Sequence, residues 1–163
     1  MRFRNLWTIL AIFLLFSCSS GSRCYESTDT LMVTSFTGGT TKKIGPFTIR
    51  GYGKNAAGDT LVNVSDSVLV RKVGLPLSLT ADSTGFVVTA NGQTRTFWVK
   101  HTMNLQLISQ SCGFAPYYKL TAARYGSLID SVRASDPDVS PKSVERYATH
   151  GQNITIYLHL TGN

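Results

Sequence analysis

Thr84-Gly-Phe-Val-Val-Thr-Ala-Asn-Gly-Gln-Thr-Arg-Thr-Phe-Trp-Val-Lys-His101 is the most decisive stretch of the chain. Residues 84–90 and 93–101 are rich in Val, Thr and aromatic side chains, and Asn91-Gly92 separates them. A two-residue type I′ turn needs positive φ at both positions, which Asn and Gly adopt most readily, so the pair predicts a tight β-hairpin. Within 93–101, side chains alternate across the strand: Phe97 and Val99 share one face and Trp98 takes the other.

The same period of two recurs outward from this hairpin. At the C-terminus Ile154, Ile156, Leu158 and Leu160 point one way, and Thr155, Tyr157, His159 and Thr161 the other, as in a strand with one face on a core. Further strands are expected over 30–36, 46–53, 60–70, 73–79, 104–110, 117–124 and 127–133. Turn residues separate most of them: Gly38-Gly39, Asn55 to Asp59, Gly74 with Pro76, Gly113 with Pro116, and Gly126. No 3.6-residue period is sustained beyond residue 24. Pro141 to Tyr147 suits one helical turn capped by Ser140, and Asp136 to Pro141 reads as a loop. About eight to nine short strands at ten-residue spacing predict an all-β fold. The expected architecture is a single antiparallel β-sandwich with Greek-key connections, of the immunoglobulin or transthyretin-like kind, with a barrel as the alternative.

The N-terminus carries an address. Arg2 and Arg4 precede an apolar run from Leu6 to Phe16, interrupted only by Thr8. A membrane-spanning helix needs about 20 apolar residues, so this run is too short to span and suits the core of a signal peptide. It ends in Leu15-Phe-Ser-Cys18, followed by Ser19-Ser-Gly-Ser22. That ending resembles the bacterial lipobox, with Phe16 bulkier than the usual residue. The resemblance implies cleavage before Cys18, lipidation of Cys18, and several acyl chains, which anchor lastingly where one alone holds only marginally. The expected organisation is 1–17 signal peptide, 18–23 lipidated cysteine and flexible tether, and 24–163 β-sandwich domain.

Residues 18–163 hold 14 Lys+Arg against 9 Asp+Glu, and the basic residues are scattered. Lys42, Lys43, Arg71, Lys72, Arg95, Lys100, Lys119, Arg124, Arg133, Lys142 and Arg146 therefore read as a solvated surface, with weak attraction to anionic envelope polymers. No basic block interleaved with aromatics marks nucleic-acid binding. Besides Cys18 the chain has Cys24 and Cys112. In an oxidising compartment a bond between them is expected; in the chain-entropy model it is worth about 4–5 kcal/mol. Two buried thiols are the alternative. Two cysteines so far apart do not make a zinc site.

Cys24-Tyr-Glu26, Leu75-Pro-Leu77, Asp82 to Thr84 leading into Phe86-Val-Val, Ser111-Cys-Gly-Phe114 and Asn153-Ile-Thr-Ile-Tyr157 complete a pattern. With the lipobox, it resembles a family of small Bacteroidota envelope lipoproteins of unknown function, over essentially all of residues 18–163. The resemblance implies a β-sandwich, a Cys24–Cys112 bridge and an envelope location. It brings no activity, catalytic residue or cofactor. Surface-displayed lipoproteins of these bacteria carry acidic residues after the lipidated cysteine. Ser19-Ser-Gly-Ser-Arg23 has none, which implies an outer-membrane protein facing the periplasm.

Asp29, Asp59, Asp66, Asp82 and Asp130 are each followed by Ser or Thr. This resembles the O-glycosylation sequon of Bacteroidota, with Thr30, Thr60, Ser67, Ser83 and Ser131 as acceptors. The plain reading is turn grammar, because Asp bonds its own backbone at strand entries. Asn63-Val-Ser65 and Asn153-Ile-Thr155 carry no weight in a bacterium. Of His101, His150 and His159, the first and last read as surface histidines, and no nucleophile-elbow pattern completes a triad. Asp136 and Asp138 supply two oxygen donors where calcium takes six to eight. Aromatics remain: with Trp98 outside and Tyr117 or Tyr118 beside it, the sheet offers a flat platform for glycan or peptide. The expected function is non-enzymatic, without cofactor, membrane-attached through the lipid, and directed at another envelope protein or a glycan. A surface adhesin or pilus-type component and a small hydrolase are the alternatives.

Overall fold

The computed structural model describes residues 28–52, 60–141 and 151–160. The strands are β1 (Leu31–Thr37), β2 (Phe47–Tyr52), β3 (Thr60–Val64), β4 (Val70–Pro76), β5 (Ser83–Ala90), β6 (Gln93–Ser109), β7 (Gly113–Tyr125), β8 (Ile129–Ala134), β9 (Asp138–Val139) and β10 (Ile154–Leu158). Asn91 and Gly92, with φ of 52° and 74°, join β5 to β6 in the expected hairpin. No helix occurs among the described residues, so no helix there is long and apolar enough to cross a membrane. The apolar run 6–16 and the expected turn over 141–147 lie outside them, except for Pro141.

The strands form two packed sheets of order β4-β1-β10-β8 and β3-β2-β5-β6-β7-β9. All pairs are antiparallel except β1 with β10, which run parallel from Thr34/Ile154 to Thr37/Tyr157. Inward side chains of both sheets make one core. Met32, Phe36, Ile154, Ile156 and Leu158 come from the smaller sheet, and Phe47, Ile49, Phe86, Val88, Phe97 and Val99 from the larger. Phe36 spans the layers: its ring meets Phe47 edge-on at 5.1 Å and Phe97 at 6.0 Å, while Phe97 stacks on Phe86 at 5.1 Å. Burying each such side chain stabilises the fold by about 1.5–3 kcal/mol.

Several expected boundaries change: Gly74 and Pro76, expected to punctuate, lie inside β4, and the expected loop from Asp136 contains β9. The run 60–70 is two strands, because β3 belongs to the larger sheet and β4 to the smaller, so the chain breaks at Ser65–Leu69 to change layers. The runs 93–101 and 104–110 are one strand, β6. Between them the burial pattern fades only because the strand passes beyond the core, and β7 bulges opposite Lys100/His101. Pro116, expected as a turn, lies inside β7. It pairs with Leu105 on one side, and its carbonyl accepts the Thr30 hydroxyl at 2.6 Å. Proline is tolerated there because β9 covers only Tyr118 and Lys119 and leaves the edge open at 116.

Two polar side chains expected on the surface are buried. Arg95 is 3% exposed, because it occupies an inward position of β6 in register with Phe97. Its five N–H groups all donate to oxygens: Nε to the Leu128 carbonyl, Nη1 to Ala90 and Gln93, and Nη2 to the Gln93 side chain and to His159. Burial lowers its pKa from the ordinary value, with Asp130 opposing. His101 is 1% exposed. Its Nε2 lies 2.9 Å from the Thr84 hydroxyl and its ring meets Tyr118 edge-on at 5.2 Å. His159 is exposed, with Nδ1 2.9 Å from Asp130, and His150 lies outside the described residues.

Candidate functional site

Trp98 lies on the outer face of the larger sheet. Cross-strand partners share a face, and the register places Tyr52, Gly85, Trp98 and Arg124 in one row across β2, β5, β6 and β7. Gly85 makes the row possible. A Cβ there would stand 2.6 Å from the Trp98 Nε1 and 3.0 Å from the Tyr52 Cβ, so only glycine lets the indole lie over its neighbour strand. Tyr52 meets Trp98 edge-on at 5.2 Å and stays 54% exposed.

An open hollow of about 610 Å³ adjoins this row, lined by Trp98, Lys100, Arg124, Tyr125, Asp82 and Ser83 among others. Lys100 and Asp82 approach to 3.9 Å, both well exposed; such a pair contributes little to stability and leaves both groups available to a ligand. The hollow therefore offers an aromatic surface for the apolar face of a ring, two cations and one carboxylate. That combination suits a hydroxylated or anionic ligand held by a few polar groups over an apolar floor.

The expected companions of Trp98 are elsewhere. Tyr118 is not part of any exposed platform: it is 4% exposed, its hydroxyl donates to the Leu77 carbonyl, and burial raises its pKa. The bulge opposite Lys100/His101 turns it inward. Tyr117 pairs with Asn104, six residues beyond Trp98 on β6, or about 20 Å at ~3.3 Å per residue. It lines a second hollow of about 580 Å³ with Thr102, Lys119 and Asp138. Tyr52 takes the place by Trp98, while Tyr125, paired with Phe97, borders the hollow. Tyr52 follows Arg50 and Gly51 with no alternation to mark it, and only the β2–β5 register aligns it with Gly85.

The remaining candidates divide clearly. Thr30 is unsuited to O-glycosylation in the folded domain, being 8% exposed and bonded to Pro116. Thr60, Ser67, Ser83 and Ser131 are exposed. The Asp136 carboxylate accepts the Asp138 N–H and so closes its own turn. No group of three or more His, Cys, Asp or Glu side chains able to hold a metal occurs among the described residues. Asn153 is fully buried and holds Val33, Asp136 and Asp138 through its amide. Cys112 lies half-buried in the β6–β7 turn, its N–H donating to the Ser109 hydroxyl. Cys18 and Cys24 lie outside the described residues, and with them the expected lipid anchor and one end of the expected bridge.

Fold and site together define a small β-sandwich domain with an open aromatic and charged hollow on one sheet. The chain belongs to DUF6452, a family of unknown function whose profile matches residues 47–158, from β2 to the end of β10. No curated protein and no solved structure matches it.

Proposed function

We propose that this protein is a non-enzymatic binding module of the cell envelope, lipid-anchored through Cys18, facing the periplasm from the outer membrane, and taking a carbohydrate polymer in the Trp98 hollow. The observation that carries the reading is the Tyr52–Gly85–Trp98–Arg124 row, an aromatic floor with charge at its rim. The hollow's lining includes one carboxylate, Asp82, where glycoside hydrolysis ordinarily uses two; this favours binding over cleavage. A Cys24–Cys112 bridge belongs to the same reading. Thr30 rests on Pro116, and six residues of extended chain reach about 20 Å, ample for Cys24 to meet Cys112 four residues from Pro116. O-linked glycans on Thr60, Ser67, Ser83 or Ser131 are compatible with their exposure.

Titrating the mature protein with soluble peptidoglycan fragments and with lipopolysaccharide-derived saccharide tests the hollow. Binding to one of them is expected, lost in Trp98→Ala with the unfolding midpoint unchanged; equal binding by that variant sinks the assignment. The intact mass of protein from its native envelope tests the anchor. Residues 18–163 plus acyl chains, heavier by two hydrogens after reduction, is the expected result, with sugar-sized increments added if it is glycosylated. Cleavage of the domain by protease on intact cells would refute the periplasmic orientation.

A further inference from the structure

The β6–β7 hairpin outruns the sandwich. Past the bulge, β6 continues to Ser109 and β7 returns from Gly113, and only Tyr118 and Lys119 find a further strand, in β9. The pairs Met103/Tyr118, Leu105/Pro116 and Leu107/Phe114 share one face. Since Tyr118 is in the core, that face prolongs the core face into solvent. Leu105 is 55%, Leu107 57% and Phe114 66% exposed. From His101 to Leu120 the chain has no Asp or Glu, and Lys119 is its one Lys or Arg, so nothing in the arm repels an anionic apolar surface.

The position of the N-terminal segment says which surface meets the arm. Thr30 is bonded to Pro116 on the arm's open edge. Cys18 precedes Thr30 by twelve residues, a reach of at most about 40 Å; with Cys24 joined to Cys112, Cys18 is six residues, or about 20 Å, from the arm's tip. An anchor that short holds the tip at the bilayer. We infer that the β6–β7 arm is a membrane-contact finger: it lies in the lipid surface that carries the anchor, with Leu105, Leu107 and Phe114 among the acyl chains and Lys119 toward anionic headgroups. This rests on the lipid-anchor reading. The finger stays at interfacial depth, because the open edges of a two-stranded ribbon leave backbone N–H and C=O groups that hydrocarbon cannot satisfy. Trp98, on the far part of β6 from the tip, stays in water.

The test uses the full-length protein, processed in a bacterial host and reconstituted into phosphatidylethanolamine–phosphatidylglycerol vesicles with brominated acyl chains. In a Phe114→Trp variant the emission that the new indole adds to that of Trp98 is expected to be quenched by the brominated chains, because an interfacial apolar side chain reaches the acyl boundary. Trp98 of the unsubstituted protein is the unquenched reference. Leu107→Trp repeats the reading should the first variant misfold. An acylated protein whose introduced indole is quenched no more than Trp98 overturns the finger and leaves the anchor standing. A shielded but unquenched indole with crosslinked dimers overturns it in favour of a second copy on the arm. A mass without acyl chains overturns both.

Discussion

Arg95 stands where alternation from Phe97 and Val99 calls for an apolar side chain, and it is kept there by five oxygens from four residues. Arg95→Met strands the buried Ala90 carbonyl and four part-buried oxygens, so a loss of about 1–3 kcal/mol is expected, measured as the urea midpoint. His101 makes a second residue-scale prediction. Burial lowers its pKa from 6.5, with Asp82 opposing, and its Nδ1 is buried without a partner. The neutral ring is the folded form, so the stability it confers is complete above the unfolded value near 6.5 and is lost as pH falls below it. The midpoint of the protein is expected to drop between neutral pH and pH ~5 more than that of His101→Gln. An equal drop in both would show that other groups carry the acid sensitivity. Neither burial was legible in the sequence, because Arg and His at inward positions look like any surface cation until the oxygens or the aromatic edge that receive them are in place.

At the scale of elements, the β5–β6 hairpin was legible from Asn91-Gly92 alone, since backbone sterics select those residues. Gly92, at φ 74°, has open space where a Cβ would go. The cost of Gly92→Val is therefore purely backbone, about 1–2 kcal/mol, and a urea titration reads it without interference from packing. The β3–β4 run and the length of β6 were not legible. Burial comes from the layer above a strand, and period-2 patterning neither announces a change of sheet nor shows where the covering layer stops. The Trp98 site was half legible for the same reason. Alternation put Trp98 opposite Phe97, but its neighbours depend on register among four strands, and register replaced the expected Tyr117 and Tyr118 by Tyr52.

Across the whole molecule, the ends of the described chain meet at the centre of the smaller sheet, where β1 and β10 pair in parallel. Asn153 secures that junction. Its side chain accepts from the Val33 N–H at 2.9 Å and donates to the Asp136 and Asp138 carbonyls, while its backbone N–H donates to the Val33 carbonyl. Asn153→Ala is expected to cost about 1–3 kcal/mol by stranding the buried Val33 N–H and two part-buried carbonyls, with unfolding still a single transition by tryptophan fluorescence and circular dichroism; two separated transitions would mean that the sheets unfold independently. The sequence by itself determined the all-β class, the hairpin at Asn91-Gly92 and the inward set of β10, because φ preferences and alternation are local properties. Only the tertiary structure decided which sheet each strand joined, that Arg95 and His101 turn inward, that Tyr52 stands beside Trp98, and that the β6–β7 arm runs past the core. Each of these depends on what a segment far away in the chain brings to the same place, and a local pattern carries no information about that.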